Sequence, residues 1–174
     1  NARAVVFTNA RCLADPATTE RLLAHQCLRE VQVPIYGTES IHESLTTRLG
    51  SYAQTLGGLS RLLKGKFDRT EMVLKYLLCR ENLSCAKEAI LCAFKHAGLP
   101  NRLVLSSLIM SCRAQANAKR IVFPLRDAQR AIADVLTLAA SEGVAVILDR
   151  LPACVIGRDN HLLYERIAYY EPPV

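Results

Sequence analysis

The sequence predicts an α+β fold that is predominantly helical, with a small antiparallel sheet. Helical periodicity occupies most of the 174 residues, and the helical segments follow one another instead of alternating with strands. The segments with strand character lie near the two ends of the chain. We therefore expect a single globular domain over residues 1–174, with a helical bundle as its core over 15–142 and a C-terminal β-hairpin over 144–170, to which the N-terminal strand can add.

The first elements predicted along the chain are a strand and a helix. Residues 3–12 contain a Val-Val-Phe run, which favours extended backbone. Asp15 and Pro16 are the residue types preferred at a helix start, because the carboxylate can cap free amides and proline needs no N–H there. The sequence predicts a helix that begins at Pro16 and ends before Pro34.

A second helix is predicted from Ser40, which forms a Ser-x-x-Glu capping box with Glu43. Its apolar residues recur at alternating steps of four and three, the spacing of a heptad seam. Two interpretations stay open: an interface with a partner helix or a second copy, and a bundle helix packed inside its own domain. The residues of this seam are Leu45, Leu49, Tyr52, Leu56, Leu59 and Leu63.

Three more helices are predicted in the middle of the chain. Residues 68–80 are apolar nearly all round, which is typical of a central core helix. The next helix begins at Ser84 and ends at Gly98, which is followed by Leu99 and a proline. A further helix is predicted after Asn101, again with an apolar stripe.

The last part of the chain is predicted to form one helix and the hairpin. Asp127 caps a helix over residues 128–142. Residues 144–148 form a fully apolar strand, and strands at 153–156 and 161–170 complete the antiparallel sheet.

Composition and motifs argue against several classes of protein. A phosphate-binding loop, a dinucleotide-binding glycine pattern and a nucleophile elbow are all absent from the sequence. The apolar runs are far shorter than the roughly 20 residues of a membrane-spanning helix. The seven cysteines are odd in number, and several have helical core spacing, which indicates reduced thiols and hence a cytoplasmic or nuclear protein. The chain begins Asn1-Ala2-Arg3 and not with methionine, which indicates a processed product or a piece excised from a longer protein.

One group of residues has the chemistry of a metal site. Cys85, Cys92 and His96 are spaced by seven and four, so one helical face would carry all three. The alternative is core packing, because free cysteine is a common small core residue and one helix rarely supplies three ligands. The sequence therefore predicts no metal, no cofactor and no catalytic residue, and it favours a non-catalytic protein without deciding the question.

The net charge of +6 is clustered. Residues 89–126 contain no acidic side chain, and basic groups along one helix edge can neutralise successive phosphates. The predicted C-terminal order of helix, strand, turn and strand also resembles the recognition helix and wing of a winged-helix fold. The predicted nucleic-acid-binding residues are Arg102, Arg113, Lys119, Arg120, Arg126, Arg130 and Arg158.

These observations predict an intracellular, non-catalytic regulatory module. We expect its basic helix edge to bind nucleic acid, either DNA or RNA, or an acidic protein surface. The alternative is a protein-interaction or oligomerisation domain of a larger viral, effector or scaffold protein, which would use the heptad seam. A solvated surface is the third interpretation of the basic residues.

Overall fold

The structure, a computed structural model, describes residues 3–65, 69–108 and 112–152. Within those residues, strands alternate with helices in an α/β fold. The strands are β1 (Ala4–Phe7), β2 (Leu28–Ile35), β3 (Glu71–Leu78), β4 (Arg102–Ser107) and β5 (Ala145–Asp149). The helices are α1 (Pro16–Leu23), α2 (Glu39–Thr46), α3 (Ser51–Lys64), α4 (Ala86–Ala97), α5 (Cys112–Ala116), α6 (Ala118–Ile121) and α7 (Leu125–Ser141).

The five described strands form one sheet in the order β1-β2-β3-β4-β5, and every neighbouring pair is parallel. Each strand therefore pairs with the next strand along the chain. Crossovers between parallel strands are almost always right-handed. When each crossover joins immediate neighbours in the same direction, that handedness places all the connecting helices on one face of the sheet.

The hydrophobic core lies between that face and the helices. In β2–β5, alternate side chains point into it, and they are buried almost completely, whereas those of β1 are partly buried. Helix α3 packs against α4, and α4 packs against α7, so the three helices form a layer over the sheet. The strand residues in this core are Val31, Val33, Ile35, Met72, Leu74, Tyr76, Leu78, Leu103, Leu105, Val146 and Leu148.

The predicted fold class is wrong. The protein is not a helical bundle with an antiparallel sheet, and the predicted helical core over 15–142 contains three of the parallel strands. The helix predicted over 68–80 is replaced by β3, the central strand. A central parallel strand is buried on both faces, so its sequence is a nearly continuous apolar run. Such a run resembles a helix that is apolar all round.

The predicted C-terminal hairpin is also corrected. Strand β5 occupies the place of its first strand, but β5 pairs in parallel with β4 and not with a following strand. Strand β4 in turn replaces the helix predicted after Asn101. The Asn101 side chain accepts a hydrogen bond from the Met72 N–H at 2.7 Å, so it joins β3 to the start of β4 instead of capping a helix. The other predicted hairpin strands, at 153–156 and 161–170, lie outside the described residues.

Pro34 did not end a helix as predicted, because it lies inside β2. A proline inside a sheet removes a ladder hydrogen bond and is normally confined to edges. In register, the last residue of β1, Phe7, lies opposite Gln32. Pro34 is therefore beyond the end of β1, where a backbone N–H that pointed toward β1 would have no strand to pair with.

Two predicted helix ends are confirmed. Helix α1 begins at Pro16, and the Asp15 carboxylate accepts a hydrogen bond from the Thr18 N–H at 2.8 Å. Helix α4 ends at Ala97, and Gly98 follows with a φ of 106°. These signals depend on residues close together in the sequence, so they survive the error in the overall fold.

Helix α3 makes an unusually close contact with the loop after β1. A β-carbon on Gly58 would lie 1.9 Å from the carbonyl oxygen of Ala10, so only glycine fits there. Nearby, the Thr55 hydroxyl donates to the Asn9 carbonyl at 3.0 Å. Ala10 itself has a φ of 57°, in the left-handed region. The loop at the carboxyl end of β1 is therefore held directly against the backbone of α3.

Candidate functional site

The face of the sheet opposite the helices carries a broad cavity of about 710 Å³. All five strands contribute to it, and among the described residues none of its lining belongs to an α-helix. The size is within the range of small-molecule sites. We call this surface the open sheet face. Its lining residues are Phe7, Thr8, Asn9, Glu30, Gln32, Pro34, Tyr36, Val73, Lys75, Leu77, Arg102, Val104, Ser107, Leu108, Ile147, Asp149 and Arg150.

A charged cluster lies on the carboxyl half of this face. Lys75 projects from the middle of β3, the central strand, and its Nζ lies 3.1 Å from Oδ2 of Asp149 on β5. The hydroxyl of Ser106 donates to the same oxygen at 2.8 Å, and Nη1 of Arg150 lies 3.5 Å from it. Three donors thus converge on one carboxylate oxygen. In register, Lys75 lies opposite Val104 on β4, and Ser106 lies opposite Asp149 on β5.

A second charged cluster lies at the amino end of the same face. Arg102, the first residue of β4, pairs through Nη2 with Glu30 at 2.6 Å and also with Glu71. The Gln32 amide donates to the other oxygen of Glu30. Two atoms here are buried without a hydrogen-bond partner among the described residues: Nε of Arg102 and Oε1 of Gln32. An unsatisfied donor and an unsatisfied acceptor are thus present in one cluster.

Tyr36 forms the rim of the face where β2 ends, and two buried side chains hold its backbone. Its carbonyl accepts a hydrogen bond from Nδ2 of Asn82 at 2.8 Å. Its N–H donates to Nδ1 of His42 on α2 at a long 3.4 Å. The rings of Tyr36 and His42 are 5.3 Å apart, and Tyr52 packs edge-on against the other side of His42. Burial also raises the pKa of the Tyr36 phenol, so this group is protonated at neutral pH.

His42 should make the protein less stable in acid. It is 2% exposed, and burial lowers its pKa from 6.5 to about 4. The unfolded chain therefore binds a proton more readily than the folded chain. The contribution of His42 to the free energy of unfolding is complete above pH 6.5 and falls as the pH drops toward 4. At pH 5 the loss is about 2 kcal/mol. Urea unfolding at pH 7 and pH 5 measures the loss, and a His42→Phe variant should lose about 2 kcal/mol less over that interval. Equal losses in both proteins would show that other groups cause the effect.

No protein-family model matches the chain, and no curated protein matches it in sequence. Inference about function therefore depends on the geometry of this chain.

The predicted basic edge is divided between distant parts of the fold. Arg102 lies at the amino end of β4 on the open sheet face. Lys119 and Arg120 lie in α6, which is beside the carboxyl end of the sheet, because Arg120 pairs with Glu81 after β3 at 2.5 Å. The window lacks acidic residues only along the sequence, since acids from elsewhere in the chain pair with Arg102 and Arg120.

The remaining predicted basic residues either lie on the helical side of the sheet or have side chains outside the described part of the structure. Arg126 is 86% exposed in α7, with Asp127 at 3.6 Å, and Arg130 is exposed on the same helix. Arg113 belongs to α5, but its side chain is outside the described part, as is the whole of Arg158. Nucleic-acid binding by these residues stays an untested prediction.

The predicted seam does not lie on one helix. It is divided between α2, which carries Leu45, and α3, and the connection between them carries Leu49 with 89% of its surface exposed. The α3 residues Tyr52, Leu56 and Leu59 are buried, and Leu63 packs against the same core. The apolar stripe of α3 therefore fills the interior of this domain.

The candidate metal ligands are not brought together. Cys85 lies in a 3-10 turn before α4, where its thiol donates to the Asn82 carbonyl at 3.4 Å, and His96 is exposed near the end of α4. Over residues 3–65, 69–108 and 112–152, no three side chains of His, Cys, Asp or Glu are grouped to hold a metal ion. In the same residues, no helix has the length and apolarity needed to cross a bilayer.

Sequence reasoning missed Glu30, Gln32, Lys75 and Asp149. The signal was present, because each is a polar residue within or at the end of an apolar run. In a strand, residues two apart share a face, so single polar residues inside such runs indicate a polar patch on one side of a sheet. That signal has no meaning when the same runs are read as helices.

Proposed function

We propose that this domain binds a small molecule carrying both positive and negative charge on the open sheet face. The observation that supports it best is Lys75, a charged side chain in the middle of the central strand. Its side chain is only 15% exposed, although it belongs to a face with no covering helix among the described residues. A purely structural face would carry an apolar side chain at this position.

The charges on this face match a ligand with both signs of charge. Lys75, Arg102 and Arg150 face Glu30, Glu71 and Asp149, so three cationic and three acidic side chains balance. An ammonium group has three donors, and Asp149 accepts from Lys75 Nζ, which leaves donor capacity for a ligand anion. The acidic pair at the amino end can accept from a ligand cation.

The cavity also offers apolar contact between the two charged clusters. Val73, Val104 and Ile147 point into it from three neighbouring strands. Small-molecule sites typically combine an apolar lining with a few well-placed polar groups, which fix the orientation of the ligand. Parallel α/β sheets bind ligands at the carboxyl ends of their strands, which is the end that carries Asp149 and Tyr36.

A fragment screen by NMR tests the proposal with 15N-labelled protein of 19.2 kDa. The fragments are grouped as zwitterions, single anions, single cations and neutral compounds. We expect zwitterions to shift amide signals of β2–β5 on the open sheet face more often than the other groups do. Fragment binding that is confined to the helical side, or that is absent at millimolar concentration, would reject the proposal.

Removing the central charge should abolish the preference for zwitterions. A Lys75→Met variant keeps much of the length of the side chain but leaves Asp149 without its ammonium partner. Zwitterionic and anionic fragments should then bind at least about tenfold more weakly, the effect of losing one charged hydrogen bond. Lys87→Met is the matched control, because Lys87 is exposed on α4 on the helical side. Equal weakening in both variants would mean that the effect is one of net charge alone.

A further inference from the structure

We propose that His42 is a positioning residue, which holds Tyr36 at the rim of the open sheet face through a hydrogen bond that only the neutral imidazole can accept. The inference rests on the proposed function in one respect, since Tyr36 is taken to be part of the binding site. The contact itself is independent of any ligand.

Tyr36 is held at the rim through its backbone. Its N–H points to Nδ1 of His42, and its carbonyl is bound by Asn82. The next residue, Gly37, has a φ of 144°, and a β-carbon there would lie 2.7 Å from the Ile41 side chain on α2. The turn between β2 and α2 is therefore tight, and the backbone of Tyr36 can shift little without moving α2.

His42 is neutral when it accepts the hydrogen bond from Tyr36. An Nδ1 atom that accepts a hydrogen bond carries no proton, so the neutral ring has its proton on Nε2. Protonation would add a hydrogen at Nδ1, and two N–H donors would then point at each other. The hydrogen bond to Tyr36 is therefore broken whenever the imidazole is charged.

The surroundings of His42 favour the neutral ring. The aromatic rings of Tyr36 and Tyr52 enclose it from β2 and α3. Two charged groups face it: Arg11, from the loop after β1, disfavours the cation, and Glu43, on the same helix, favours it. Burial is the largest effect, so the bond to Tyr36 is intact at neutral pH.

The test separates the hydrogen bond from the ring by means of two variants. His42→Asn places an acceptor close to the position of Nδ1 but removes the ring, whereas His42→Phe keeps the ring without an acceptor. Amide hydrogen exchange is measured at Tyr36 and, as a control for general destabilisation, at Leu74 in the core of β3. We expect exchange at Tyr36 relative to Leu74 to be about tenfold faster in His42→Phe and close to wild type in His42→Asn. Equal relative exchange in all three proteins would overturn the proposal.

Two further readouts connect the contact to the site. In wild-type protein, the ring signals of Tyr36, assigned by a Tyr36→Phe variant, should shift together with the imidazole signals of His42 as the pH is lowered. In His42→Asn they should be insensitive to pH over the same range. Tyr36 signals that do not follow His42 in wild type would contradict the proposal.

The zwitterionic fragments are the probe for binding. Those that shift open-face amides in wild type should bind more weakly to His42→Phe and as in wild type to His42→Asn. Unchanged binding to His42→Phe would overturn the positioning role alone. If wild-type protein binds no fragment, the proposed function fails, whereas the exchange measurement still decides whether His42 holds Tyr36.

Discussion

A Gly58→Ala substitution should lower the free energy of unfolding by about 3 kcal/mol or more, which is a severe effect for one methyl group. The added carbon would lie 1.9 Å from the carbonyl oxygen of Ala10 and 2.9 Å from the carbonyl carbon. Both atoms are backbone, so no side chain can turn away. Helix α3 or the loop after β1 must shift, and that loop carries Thr8 and Asn9 to the open sheet face.

The neighbouring glycine is the matched control. Gly57 lies in the same helix, but a β-carbon there would be 3.8 Å from that of Ala14, an ordinary contact. Gly57→Ala should therefore stabilise the protein by about 0.5–1 kcal/mol, because alanine loses less backbone entropy in a helix. Urea unfolding of the two variants gives the comparison. If Gly58→Ala were as stable as Gly57→Ala, the contact between α3 and the β1 loop would be looser than the structure shows.

An Asn82→Ala substitution should destabilise the protein by about 3 kcal/mol or more, through lost hydrogen bonds and not through lost packing. The side chain is 0% exposed and makes three hydrogen bonds to backbone. It accepts from the Cys79 N–H at 2.8 Å and donates to the carbonyls of Tyr36 and Leu77 at 2.8 and 2.7 Å. Alanine would leave these buried groups without that partner, and each costs about 1–3 kcal/mol when unsatisfied.

Two other substitutions isolate the cause. Asn101→Ala removes an exposed side chain whose oxygen accepts from the Met72 N–H, so its effect should be about 1 kcal/mol. Asn82→Asp keeps the acceptor for Cys79 but turns an acceptor toward two carbonyls, and it should be at least as harmful as alanine. Denaturant midpoints measured at constant m-value give the order. A milder effect for Asn82→Asp than for Asn82→Ala would falsify the donor role of the amide.

Local helix signals could be predicted from the sequence, whereas the sheet could not. The Asp15 cap and the end of α4 at Gly98 depend on neighbouring residues and are confirmed. The predicted capping box at Ser40 is wrong, since α2 begins at Glu39 and its cap residue Thr38 makes no side-chain bond. When two or three neighbouring residues can each begin a helix, tertiary packing decides between them. A capping pattern carries no information about packing.

Strand β3 was misread because burial on both sides removes the two-residue period, whereas β1 and β5 overlap the strands predicted at 3–12 and 144–148. In β3, Val73 is buried on the open face while Met72 and Leu74 are buried under the helices. Such a run lacks the alternation that marks a half-buried strand, and its length also suits one buried helix. The alternation of helix and strand along the chain would have corrected this, but it becomes visible only when one strand is recognised.

The candidate site was not predictable for a related reason. Lys75 and Asp149 are 74 residues apart in the chain and meet only because β3 and β5 flank β4 in the same sheet. Clustering of charge along the sequence instead directed attention to residues 89–126, where Arg102 and Arg120 are held by acids from distant segments. Closeness in sequence therefore does not identify residues that a parallel sheet brings together from distant segments.

The sequential strand order has a consequence for how the protein is made. In a doubly wound sheet the first strand lies in the interior, and later strands must find places on both sides of it. Here each described strand joins the sheet next to the one synthesised just before it. During translation, a new strand and its helix can therefore dock onto a surface that already exists, at a single growing edge, and no earlier pairing has to open.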